Sequence, residues 1–283
     1  MSKIEEKTEI ELSPVFYYFI LTFVIFWGGT LAIYFLPDLY YLQNQDIIIG
    51  ILATMLVGIP SFSPTISALI VTGYFEGKSG LNHFAKGLIK IKVKYYWYLL
   101  VFFLPIFVYS LPIVFNIAID NPSNNDYFNM NLWGISLSVV LFNIVFAGLG
   151  EEPGWRGYAL PKMNQHYRPI ISGMIIGVIW AFWHLLFYVL GSRPWSTFPQ
   201  FVFTVTVISC IYTWIYQRTK SIPLMIIFHV MHNLSNTVFI NYHNPLWGGI
   251  IYFVILIMIL LRDSDTLLKR TSAQPEGDQI HNR

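Results

Sequence analysis

Charge is what this sequence has least of. Of its 283 residues, 11% are Asp, Glu, Lys or Arg, whereas 55% are apolar and the mean hydropathy is positive. A water-soluble domain carries about 25% charged residues, so the composition excludes an ordinary soluble fold. Cysteine is nearly missing as well. Cys210 stands alone in an apolar run, which excludes an internal disulfide and a multi-cysteine metal site. No basic cluster is long enough to grip nucleic acid, and a net charge of +2 selects no partner. The chain has no H-E-x-x-H and no G-x-S-x-G, so a zincin site and a serine nucleophile elbow are excluded. A cleaved signal peptide is not expected: the first apolar run is too long, and the leader MSKIEEKTEIEL is at least as acidic as it is basic.

What the sequence has instead is long apolar runs. A helix needs roughly 20 apolar residues to cross the hydrocarbon core. Runs free of Asp, Glu, Lys and Arg fall at approximately 14–36, 47–73, 95–119, 132–150, 170–190, 199–216, 222–240 and 246–261. The expected fold is therefore all-α: a polytopic membrane helix bundle of about eight transmembrane helices. Its divisions are a cytoplasmic leader over 1–13, the bundle over 14–261 and a disordered cytoplasmic tail over 262–283. Alternate connections collect sixteen of the seventeen Lys and Arg residues, and the other side holds only Arg193. By the positive-inside rule, both termini are expected in the cytoplasm of a multi-pass cell-membrane protein. The segment 80–94 places lysines between apolar residues, as an interfacial helix or an ordinary basic loop would.

Between Tyr127 and Arg262 the only carboxylates are Glu151 and Glu152, expected at the cytoplasmic end of the fourth span. The spans hold three histidines, His184, His229 and His232. Ionisable groups at that depth are costly and mark function by default. Glu152 and Arg156 are four apart and can pair on one helical face, while Glu151 is rotated about 100° from Glu152. His229 and Asn233 share a face, and so do His232 and Asn236, so spacing alone leaves the register open. The chemistry these groups can perform is water activation by a glutamate, aided by histidine, with an asparagine and a second histidine steadying an oxyanion. The same Glu and His side chains could instead hold a divalent metal such as zinc, with Glu151, His184 and His229 as ligands. Trp155, Trp180, Trp183 and Trp195 read as packing or interfacial anchors.

At these residues the chain resembles the CPBP intramembrane proteases, which include CAAX proteases (type II CAAX prenyl endopeptidases) and bacteriocin-processing enzymes. Their E-E-x-x-x-R motif reads here Glu151-Glu152-Pro153-Gly154-Trp155-Arg156. The aromatic-x-x-x-His motif matches Trp180 to His184, and H-x-x-x-N matches His229 to Asn233. The ordered set covers roughly 132–240, the expected catalytic core. The resemblance implies a membrane-embedded endopeptidase whose catalytic groups open toward the cytoplasm. It implies that Glu151 activates water with His184, that His229 and Asn233 form the oxyanion site, and that Glu152 with Arg156 braces the first motif. A proline shortly before the third motif favours His229 over His232. The partners so implied are the lipid bilayer and a peptide or protein substrate arriving from the membrane or cytoplasmic side. Family substrates include prenylated C-terminal tails, and other members are tied to bacteriocin maturation or self-immunity. A non-catalytic membrane scaffold or immunity protein, and a proton-coupled transporter, are the alternatives.

Overall fold

The computed structural model describes residues 2–36, 56–120, 137–239 and 246–270; side chains are described for 14–36, 56–115, 137, 139–239 and 246–270. The expected connections 37–46, 120–131 and 241–245 lie almost wholly outside the described residues, as does most of the expected tail.

All regular structure among these residues is helical. The helices are α1 (Ser2–Tyr34), α2 (Ser63–Leu88), α3 (Tyr95–Asp120), the composite α4 (Leu137–Phe142 through Leu160–Met163), α5 (Pro169–Trp183), α6 (Leu185–Val189), α7 (Phe198–Thr219), α8 (Ile222–Phe239) and α9 (Leu246–Leu268). Seven segments among the described residues are long and apolar enough to span a bilayer. The remaining expected span, 132–150, corresponds to α4, whose two π-helical turns divide it into short pieces. The outward faces stay apolar: Phe16, Val24, Phe103, Phe107 and Leu261 are all more than half exposed. Such a surface has lipid as its solvent, and the chain is a multi-pass membrane protein.

The leader is helical from Ser2 and runs without a break into the first span. Past its own span α2 turns sharply at Gly77, whose φ of +64° is open to glycine and costly to other residues. The following residues 78–88 are helical, and 89–94 connect to α3.

The helices α5 and α7 pack closely against each other. No hydrophobic force draws apolar helices together in lipid, so close backbone approach and hydrogen bonds must do so. On α5, Gly173 and Gly177 turn toward Ser209, Cys210 and Thr213 of α7. A Cβ at Gly177 would lie 2.6 Å from Thr206 Cα and 2.9 Å from Ser209 Cβ. Gly177→Val is therefore expected to lower stability by about 1–3 kcal/mol, the usual cost of overpacking. An unchanged thermal midpoint in detergent would contradict this helix contact.

At the far end of α7, Asp263 of α9 accepts hydrogen bonds from Trp214 Nε1 at 2.7 Å and Arg218 Nε at 2.7 Å. Lys162 pairs with Glu76 at 3.0 Å, and Ser221 Oγ donates to the Lys90 carbonyl at 2.6 Å. Arg270 donates to the His166 carbonyl. These links gather segments 76–94, 162–168, 218–221 and 262–270 at one end of the bundle.

Candidate active site

The site begins with the irregularity of α4. Pro153 lacks an N–H, so a plain α-helix would lose an internal bond there. The backbone stays helical at Pro153 (φ −57°, ψ −39°) and widens into a π turn over Pro153–Ala159; a second π turn spans Asn143–Leu149. Such wide turns carry a residue more than an α turn and recur at functional sites. Between them lies Gly150–Glu152. A Cβ at Gly150 would come within 2.9 Å of the Ser61 carbonyl oxygen, so α4 sits hard against the turn Ile59–Phe62.

Both glutamates are buried, in the middle of a helix that runs on to Met163. This corrects the expectation that they sit at the cytoplasmic end of the fourth span. The expected end came from the loss of the apolar pattern, yet Trp155, Tyr158, Ala159 and Leu160 carry the buried helix onward. Arg156 is likewise not a connection cation. It is 1% exposed, with its guanidinium 4.1 Å from the Tyr212 ring centroid and 4.6 Å from that of Trp180.

The two carboxylates face different partners, as their rotation about the helix requires. Glu151 Oε2 accepts a hydrogen bond of 2.6 Å from Trp180 Nε1 on α5. Glu152 Oε1 accepts from Arg156 Nη1 at 3.0 Å and lies 2.7 Å from His229 Nδ1 on α8. A carboxylate only accepts, so the proton in the second contact belongs on Nδ1.

His184 sits just beyond α5 and points Nδ1 at the Trp180 carbonyl, 2.9 Å away. A carbonyl only accepts, so Nδ1 carries the hydrogen and Nε2 the lone pair of the neutral ring. Asn233 Nδ2 donates to Asn143 Oδ1 at 2.9 Å, and Asn143 Nδ2 donates to the Val139 carbonyl at 2.9 Å. The amide of Asn233 thus keeps a second N–H. The His232 ring lies 3.3 Å from the hydroxyls of both Tyr109 and Tyr252.

A cavity of about 550 Å³ joins these groups. Glu151, His184, His229 and Asn233 all line it, together with Asn143, Trp180 and His232; Glu152 and Arg156 lie behind its wall. The sequence spacing poses a depth problem, since His184 falls well beyond the level of Glu151. The structure resolves it. Glu151 lies about 18 Å from the Met163 end and meets Trp180, itself about 16 Å from Pro169. His184 stands one turn further along, at the end of α5. On α8, His229 lies level with Glu152, since its Nδ1 is 2.7 Å from the Glu152 carboxylate.

Two residues of this site were not read as such from the sequence. Trp180 was expected to be an anchor, yet its indole N–H holds the Glu151 carboxylate; its place four residues before His184 was the available signal. Asn143 carried a weaker one, an amide within an otherwise apolar run. As for a metal, among the described residues no three His, Cys, Asp or Glu side chains gather as ligands. Glu151, His184 and His229 share the cavity but not a common centre.

The family model described as "Type II CAAX prenyl endopeptidase Rce1-like" matches residues 133–235, the span that carries Glu151, His184, His229 and Asn233. A "CAAX prenyl protease 2" of Methanococcus maripaludis is 34% identical over 105 residues, covering 34% of this chain and 39% of that protein. The matched segment thus spans well under half of that curated relative. Over this segment, with its three ordered motifs and the helices that hold them, the chain is similar to the CAAX-type membrane proteases of the CPBP family.

Proposed function

We propose that this chain is an intramembrane endopeptidase that hydrolyses a peptide bond by glutamate-activated water attack. The observation that carries the reading is the convergence of Glu151, His184, His229 and Asn233, from three separate helical segments, on one cavity.

Glu151 acts as general base. Trp180 fixes one carboxylate oxygen, and the other accepts a proton from water in the cavity. His184, with its lone pair on Nε2, holds the same water from the opposite wall. The hydroxide attacks the peptide carbonyl carbon as its π electrons move onto oxygen. The free N–H of Asn233 and the ring of His229 receive that oxyanion. For His229 to donate through Nε2 while Nδ1 bonds Glu152, its ring must be the imidazolium, and the Glu152 carboxylate is placed to balance that charge. Collapse of the intermediate breaks the C–N bond, and the proton held by Glu151 passes to the departing amine. No step here runs through a metal.

The test is hydrolysis of a fluorogenic peptide library by the purified full-length protein in liposomes. Cleavage is expected to persist in a strong divalent-metal chelator. If chelator abolishes it and a divalent ion such as zinc restores it, Glu151, His184 and His229 become metal ligands and the water-only mechanism falls. Cleavage that survives in both Glu151→Ala and His184→Ala would remove the site assignment altogether.

A further inference from the structure

We infer that the groove at the far end of α7 binds the phosphate headgroup of an anionic phospholipid. The inference is independent of the protease reading, because this groove shares no lining residue with the catalytic cavity.

A groove of about 1230 Å³ runs between the 89–94 connection, the first turns of α3, the last turns of α7 and the point where α9 kinks at Asp263. Its floor is apolar. Trp97 of α3 is 8% exposed and meets Trp214 of α7 edge-on, with ring centroids 5.1 Å apart. Lys90, Lys92 and Lys94 line it from the connection, and Arg218 lines it from α7. The lysine segment is pinned three times. Ser221 Oγ donates to the Lys90 carbonyl at 2.6 Å, the Tyr98 hydroxyl to the Ile91 carbonyl at 2.5 Å, and the Trp97 N–H to the Lys94 carbonyl at 3.1 Å.

Charge in the groove is out of balance. Asp263 is the one carboxylate among the described residues that line it. It already accepts from Trp214 Nε1, Thr266 Oγ1 and two nitrogens of Arg218. That pairing neutralises Arg218 and leaves three ammonium groups for which no described residue supplies a carboxylate. Like charges on one short segment repel, and an anion shared among them offsets that repulsion. A phosphate suits the task, since its several oxygens can each accept from a different lysine. Arg218 keeps N–H groups that Asp263 does not use, so it can add a further bond.

The surroundings select a lipid over phosphate in solution. Ile89, Ile91 and Leu99, beside the lysines in the chain, are 74%, 62% and 51% exposed. Exposed aliphatic side chains next to ammonium groups suit the level where acyl chains give way to headgroups, and Tyr and Trp rings gather at the same level. Lysine clusters at that level attract anionic lipid. The occupant is a phospholipid whose phosphate lies among the three lysines and whose acyl chains run along the isoleucines. Bound there, it would tie the 89–94 connection to α7.

The experiment is a thermal-midpoint titration of the purified, delipidated full-length protein in a neutral detergent. The probes are phosphatidylglycerol, phosphatidylcholine and inorganic phosphate, each added alone. A ligand that binds only the folded state raises the midpoint as its concentration rises. Phosphatidylglycerol is expected to raise it by a few degrees, and the other two at equal concentration to leave it unmoved. Lys92→Gln with Lys94→Gln is expected to keep the lipid-free midpoint and to need at least about tenfold more phosphatidylglycerol for the same shift. Lys78→Gln with Lys86→Gln removes two exposed lysines outside the groove and is expected to respond as the unsubstituted protein does. Should the groove variant fail to accumulate, Lys92→Gln alone is read, with an expected weakening of about fivefold. Equal loss in both pairs means diffuse surface charge without a site and overturns the inference. An unchanged response in the groove variant overturns it too, as does phosphatidylcholine acting as well as phosphatidylglycerol. The same shift from inorganic phosphate overturns the lipid assignment. Peptide cleavage is not read in this assay, so its outcome and that of the protease reading are separate results.

Discussion

Glu151→Gln is expected to reduce the turnover of peptide cleavage by about 10²–10⁴-fold, the range that loss of a general base produces. The substitution removes the basic oxygen but keeps a carbonyl that accepts the Trp180 N–H, so the helix contact and the cavity survive. Folding is accordingly expected to be unchanged, as read by the thermal midpoint, and KM is expected to move little. Trp180→Phe tests the same contact from the other side. It leaves the carboxylate chemically intact but free to turn, and loss of a charge-assisted hydrogen bond worth about 1.5–3 kcal/mol is expected to slow cleavage about ten- to a hundredfold. If Glu151→Gln cleaves at the unsubstituted rate, Glu151 is not the base, whatever Trp180→Phe does.

Glu152→Ala carries the second large effect, on stability rather than on rate. Glu152 is 0% exposed and holds both Arg156 and His229 through one oxygen. Its removal leaves a guanidinium, 1% exposed, between two aromatic rings without the carboxylate that pairs with it. Breaking one partner out of a buried ion pair costs about 3–5 kcal/mol because the other charge is stranded. The expected outcome is a large fall in thermal midpoint in detergent, or failure to accumulate in the membrane. Arg156→Lys is expected to rescue little of Arg156→Ala, since an ammonium lacks the flat face that lies against Trp180 and Tyr212. A Glu152→Ala protein as stable as the Glu151→Gln protein would refute this account of the pair.

Much of this was legible in the sequence, for reasons that differ by level. The spans were readable because lipid demands long apolar helices, and seven of the eight expected runs appear as such. The residues in and behind the cavity wall were readable as a set because polar groups in apolar runs are rare: the glutamate pair, His184, His229 and Asn233 stood out against Val, Ile and Phe. Their partners were not. Glu152 and His229 are 77 positions apart, and only tertiary packing joins them. Asn143 and Glu151 would diverge by about 80° around an ideal α-helix, and it is the π turn over Asn143–Leu149 that lets both line one cavity. Local spacing cannot reveal a change of helical pitch. The buried course of α4 past Pro153 was hidden for a related reason, since two glutamates, a proline and an arginine mimic the end of a span.

Glu151 and Glu152 share a peptide bond yet serve different faces of α4. One looks into the cavity and the other into the packed wall behind it. Heredity therefore receives them as a unit: a slip of one position in this stretch would exchange the carboxylate of the cavity for the one that holds Arg156 and His229, and spoil both. A lineage that abandoned cleavage could discard Glu151 while Glu152, Arg156 and His229 continued to hold the helices together. A descendant that retains the second glutamate without the first would be a relic of the fold, not of the reaction.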